Sequence, residues 1–215
     1  MSMTANANVA AIRRPRWLRA AVLDRIEQAV IVLLWLVLVY RVYHSDNPVA
    51  PLLLLSESAV AIFTLLRRPT ENLSLNLGDW LLAMTATCAG LLIIPGVMLV
   101  PTLEPVGIAI YAVGNAVQLW AKLVLRRSFG VAPANRGIKL GGPYRFVRHP
   151  MYAGYALVHL AVLMLMFHPI NLVIYAIGWW AQILRLLAEE RLLLLDPKYA
   201  AYMQQVRWRL IPGVF

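Results

Sequence analysis

The chain has 215 residues, of which 61% are hydrophobic and only 14% charged, and its formal net charge is +10. A soluble domain carries about 25% charge, so the main solvent expected here is a bilayer. So apolar a chain excludes the ordinary basic nucleic-acid binder, and a single cysteine, Cys88, excludes an intrachain disulfide.

Residues 1–20 are polar and Arg-rich and carry no cleavable signal pattern. Six apolar runs follow as candidate membrane spans, at 26–43, 49–66, 78–100, 106–125, 152–167 and 170–190, the second of them short. Pro95 predicts a kink near the end of the third run. Residues 101–105, with a proline at each end, read as a turn into the fourth. Only His168-Pro169 separates the fifth run from the sixth, which predicts an antiparallel helical hairpin. After the sixth, Leu192 to Leu195, Tyr199, Tyr202 and Met203 outline an amphipathic helix lying on the bilayer.

Lys and Arg set the orientation. Of the 20 basic residues, all but Arg41 fall in the N-terminal segment, the second-to-third loop, the stretch around the fourth-to-fifth loop (Lys122 to Arg148) or the chain's end from Arg185 onward. The expected fold is therefore an all-α polytopic membrane bundle of about six transmembrane helices, with both termini cytoplasmic and a C-terminal amphipathic helix. Residues 126–150 break the pattern of short loops, with four Gly, three Pro and six Lys or Arg interleaved with apolar residues. Such a loop is expected to fold over the membrane surface as an ordered cap.

Three clusters can carry chemistry. The first is the run 142–154, GPYRFVRHPMYAG, which places Arg148, His149 and Tyr152 at the mouth of the fifth helix. Pro150 suits a first helical turn, and the free N–H groups there, with Arg148, offer an anion site. The second is Arg185 with Glu189, four residues apart on one helix face, and Glu190 and Arg191 beside them. Ionisable groups at membrane depth face an interior or a wet cavity. The third is Tyr199 and Tyr202 on one face of the last helix, followed by Arg207 and Arg209. Read singly, each also fits an interfacial anchor or a snorkelling salt bridge. His159 reads as a hydrogen-bonded core histidine, Asn115 and Gln118 as inter-helix bonds, and Glu57 as a buried carboxylate with no obvious partner. Nothing has the spacing of a metal site or of a glycine-rich nucleotide turn.

Taken together and in this order, the three clusters resemble the isoprenylcysteine carboxyl methyltransferase (ICMT) family, whose relatives include membrane phospholipid N-methyltransferases. The resemblance covers roughly residues 104–215, leaving 1–103 as a three-span scaffold. It implies S-adenosylmethionine held by loop 126–150, the His-Pro turn, the last hairpin and the C-terminal helix. On this resemblance Tyr144, Arg148, His149, Tyr152, Glu189, Glu190, Tyr199 and Tyr202 bind the cofactor, while Arg185, Glu190 and Arg209 are catalytic. Glu190, or Glu189 beside it, meets the cofactor's amino group and ribose, and His149, Tyr152 and the loop before them its carboxylate. No metal and no nucleic acid are implied. The acceptor is a lipid or lipidated small molecule, and the site faces the cytoplasm. Asp196-Pro197 replaces the aromatic-Gly pair of many members.

Methyl transfer from a sulfonium is an in-line displacement that needs mainly positioning. A carboxylate acceptor wants a cationic clamp such as Arg185 or Arg209, whereas an amine must also lose a proton. Both are offered, with an oxygen acceptor preferred. A nicotinamide-dependent membrane reductase of the sterol-reductase type and a non-catalytic membrane protein are the competing readings.

Overall fold

The computed structural model describes residues 20–66, 76–128, 131 and 138–215. The described residues are mostly helical, and among them there is no strand. Among the described residues seven α-helices follow one another: α1 (Ala20–Tyr43), α2 (Leu52–Leu66), α3 (Leu77–Leu91), α4 (Glu104–Leu125), α5 (Pro150–Leu165), α6 (Pro169–Leu193) and α7 (Pro197–Gln205). Three are long and apolar enough to cross a membrane, over Asp24–Tyr43, Pro101–Leu125 and Pro169–Leu193. Helices α2, α3 and α5 are apolar but shorter, at 15, 15 and 16 residues, or about 23 Å at the usual rise. Leu33, Leu36, Trp180 and other large apolar side chains point outward, as lipid-facing residues do.

Local chemistry explains where the helices start. Three begin at an Xaa-Pro step, where proline needs no N–H partner and the preceding residue is kept extended. His168 caps α6, its Nδ1 accepting from Ile170 N at 3.3 Å, and Asp196 caps α7, its Oδ1 accepting from Lys198 N at 2.9 Å. His149 precedes Pro150 at the start of α5. Asn76 caps α3 in the same manner.

The third apolar run does not continue as a kinked helix to residue 100. Helix α3 stops at Leu91, and Pro95-Gly96 sit in an extended stretch. Pro95 disfavours helical geometry at Ile94, and side chains take over the pairing. Asn171 Oδ1 accepts from Ile94 N at 3.1 Å and its Nδ2 donates to Ile94 O at 2.8 Å. Val97 and Phe167 exchange backbone bonds of 3.0 and 2.7 Å. Arg41, alone in sequence at this end, donates to the carbonyls of Leu92 and Ile93 at 2.6 and 3.4 Å, closing the C-terminus of α3.

The expected α5–α6 hairpin is corrected by the packing. Helix α5 lies chiefly along α4, and α6 chiefly along α3. Small residues decide these partners. A Cβ on Gly154 would stand 2.7 Å from Gln118 N and from Gly114 O, and one on Gly178 would stand 2.6 Å from Ala89 Cβ. The Val97–Phe167 pairing holds the α5–α6 turn against the α3–α4 connection, so α5 and α6 do not pack along each other.

Arg13, Arg14, Arg16, Arg19, Arg67, Arg68 and Arg136 lie outside the described residues, as does most of 129–137. Lys122, grouped in sequence with the loop charges, is fully buried inside α4. Asn115 bonds within its own helix, to Tyr111 O at 3.1 Å, whereas Gln118 reaches Ser56 Oγ of α2 at 2.8 Å.

Candidate functional site

At the Arg-rich end, the residues preceding α5, the end of α6, helix α7 and the segment 206–210 converge. Arg148 N donates to Trp208 O at 2.9 Å and His149 N to Arg209 O at 2.8 Å. The His-Pro turn is thus stitched to the C-terminal segment by backbone bonds. Gly142 permits the preceding turn: its φ is +60°, and a Cβ there would lie 2.7 Å from Val124 Cγ2. Below, Tyr144, Tyr152, Tyr199 and Tyr202 pack with Ala121, Met151 and Leu186 into an apolar floor.

Glu190 is the centre of charge, with only 4% of its surface exposed. Its Oε1 lies 3.1 Å from His149 Nε2 and 3.3 Å from Arg148 Nε, and its Oε2 accepts from Arg209 Nε at 3.0 Å. The Arg148 contact is a charge contact without hydrogen-bond alignment. A buried carboxylate is tolerable only with such partners. Both Glu190 oxygens are engaged, so its first task is to lock the His-Pro turn to the C-terminal segment. Glu189 faces the other way and accepts from the Tyr152 hydroxyl at 2.7 Å.

Arg185, one turn earlier on α6, stacks 5.3 Å from the centre of the Tyr152 ring, and its Nη1 approaches Thr87 Oγ1 and Gln182 Oε1 at 3.4 and 3.5 Å. It belongs to two places at once, because it also lines a cavity between α2, α3, α5 and α6. Tyr155, His159, Tyr175 and Trp179 form part of the same wall. Stacked rings link the cavity to the ionic cluster: His149–Tyr152 at 5.4 Å, Tyr152–Tyr155 at 6.1 Å, Tyr155–His159 at 6.2 Å and His159–Tyr175 at 4.3 Å. The spacing 152, 155, 159 puts three of these rings on one face of α5.

The tyrosines differ in what they lack. Tyr202 donates to Tyr144 O at 2.6 Å. The Tyr199 hydroxyl is buried with no hydrogen-bond partner among the described residues. Burial, then the carboxylates of Glu190 and Glu189, hold its phenol well above the ordinary value, so it remains a neutral donor. An orphaned buried donor asks for a ligand atom.

Every residue read from sequence as a site residue is therefore gathered at this end. The sequence-based reading missed Thr87 and Gln182, which join the cavity wall from α3 and α6. Only a helical-face count across helices of unknown packing could have found them.

Residues 107–195 match the model of the isoprenylcysteine carboxyl methyltransferase (ICMT) family. This stretch is similar to that family. The match runs through α4, α5 and α6, so it includes Arg148, His149, Arg185, Glu189 and Glu190, and stops before Tyr199, Tyr202 and Arg209. With the apolar helices it supports an integral membrane methyltransferase in general terms. No curated protein matches the chain.

Proposed function

We propose that the protein is an S-adenosylmethionine-dependent methyltransferase of the membrane, acting on a lipid-embedded acceptor, with six helices crossing and both termini and the site on the cytoplasmic side. Residues 104–215 carry the catalytic machinery and residues 1–103 the scaffold. The observation that carries this reading is the juxtaposition of a mixed-charge cluster, holding an unpartnered Tyr199 hydroxyl, with a largely apolar cavity, the two joined through Arg185.

The residues present suit the cofactor's groups. Arg148, Arg209 and His149 supply cationic and N–H donors for a carboxylate, Glu189 an acceptor for an ammonium or ribose hydroxyl, and Tyr199 a free donor. When bound, S-adenosylmethionine supplies a methyl group on a cationic sulfur, open to in-line displacement. Glu190 holds Arg148, His149 and Arg209 in place, and Tyr152 orients Glu189. Tyr144 and Tyr202 close the floor and keep water out. Arg185, at the mouth of the cavity, holds an anionic acceptor oxygen there by charge. That favours an oxygen acceptor, which needs a cationic clamp and no base.

Calorimetric titration of the detergent-purified protein with S-adenosylhomocysteine tests the reading, with reduced nicotinamide dinucleotide phosphate as control. Micromolar binding of the first and none of the second is expected. Folded protein that binds the nicotinamide alone, or neither, would sink it.

A further inference from the structure

One carboxylate of the helical layer has no part in that chemistry. Glu57 of α2 is 7% exposed and lines the cavity. Helix α3 makes room for it: a Cβ on Gly90 would lie 3.1 Å from Glu57 Oε1 and 3.2 Å from its Oε2. Its charged neighbour is Lys122 of α4. Lys122 sits 5.0 Å from the centre of the Tyr155 ring and donates to Gln118 Oε1 at 2.7 Å. The lysine is fully buried and takes no part in the cavity wall, so of the two ionisable side chains it is Glu57 that faces the cavity.

Opposite stands α6. Gln182 lines the same cavity, is 6% exposed, and its Nε2 is buried with no hydrogen-bond partner among the described residues. His159 adds a second donor. Its Nδ1 accepts from the Trp179 indole, which can only donate, so the neutral ring carries its proton on Nε2. The cavity thus presents an acceptor carboxylate and two N–H donors among aromatic rings. A plain hydrocarbon tail would leave the Gln182 Nε2 unmet, and a buried polar group carries a penalty unless paired.

We propose that Glu57 and Gln182 form a second polar subsite in the acceptor cavity, which takes a hydrogen-bonding group, hydroxyl or ammonium, carried within the acceptor's apolar body. This rests on the methyltransferase reading above, with the methyl-accepting end at Arg185. A site built to hydrogen-bond a substrate group rejects the analogue lacking it far more strongly than an apolar pocket rejects an extra methylene. Glu57, Thr87 and Gly90 all precede residue 107, where the family match begins. The N-terminal helices therefore select the lipid, while α5 to α7 hold the methyl donor.

The test uses the full chain in phospholipid nanodiscs, with and without S-adenosylhomocysteine. The probes are stearate, hydroxystearates and aminostearates substituted at successive chain positions, and the matching methoxystearates, which cannot donate. At one position the hydroxy or amino acid should bind at least about tenfold tighter than stearate and the methoxy acid should not. Which of the two gains identifies the donor. The paired variant Glu57→Leu/Lys122→Met removes both ionisable groups, and Gln182→Leu removes the amide. The preference should vanish in the first and weaken in the second, with folding checked by thermal unfolding. Equal binding of stearate and every substituted acid by the wild-type chain would overturn the subsite, as would a preference that survives in the folded paired variant. Cofactor-analogue binding in the same samples keeps the two readings apart. If it fails while the preference remains, the methyltransferase reading falls and the subsite stands.

Discussion

Tyr199 and Glu190 lie in one cluster, yet they fail differently when altered. Tyr199→Phe removes a hydroxyl that has no partner among the described residues, so the ligand-free protein should lose no stability. Affinity for S-adenosylhomocysteine should fall about tenfold, the worth of one buried hydrogen bond to a polar ligand. Thermal unfolding and calorimetry on the same preparation read both effects, and a destabilised apo protein with unchanged affinity would make Tyr199 structural. Glu190→Ala leaves Arg148, His149 and Arg209 without their shared carboxylate. Removing one partner of a buried ionic group costs about 3–5 kcal/mol, so this variant should unfold at markedly lower denaturant, with Glu190→Gln intermediate. Sequence placed Glu190 on the cofactor. That both its oxygens would be taken by cations was not legible, because Arg148, His149 and Arg209 come from segments whose docking on α6 is a tertiary matter.

Among the helices, the informative positions are those where backbones touch. Gly154→Ala would press a methyl group against Gln118 N and Gly114 O, backbone atoms that cannot give way locally. A cost of about 1–3 kcal/mol is expected from overpacking, seen as a lowered unfolding midpoint. Gly141→Ala, with nothing within 4 Å of the new carbon, should leave the midpoint unchanged and serves as the control. Asp196→Ala removes the cap of α7 and should cost about 1 kcal/mol, read as faster amide exchange in residues 197–205. Asp196 thus has a local purpose in starting α7. The helix starts at the Xaa-Pro steps were legible from the chain, since capping is settled within a few residues. The end of α3 was not, because the apolar run continues past Leu91 while Pro95, Asn171 and the Val97–Phe167 pairing divert the backbone.

Across the molecule, the packing does not respect the division at residue 103. Helix α3 lies along α6, and α2 meets α4, while the cavity draws its wall from α2 and α3 as well as α5 and α6. Residues 104–215 expressed alone should therefore be recovered aggregated, or folded only when 1–103 is supplied as a separate chain. A fragment that is monodisperse in detergent and binds S-adenosylhomocysteine with full affinity would show that the scaffold is dispensable. Composition and run length determined by themselves that the chain is helical and apolar enough for a bilayer, because those properties depend on how many apolar residues follow one another. The motifs likewise marked which residues would cluster at the Arg-rich end. Only the tertiary structure decided that α5 pairs with α4 and α6 with α3, that Glu190 gathers three cations, and that Glu57 of the scaffold faces the cavity beside Lys122. Each of these turns on which small residues let two backbones approach, and that is a property of two distant segments together.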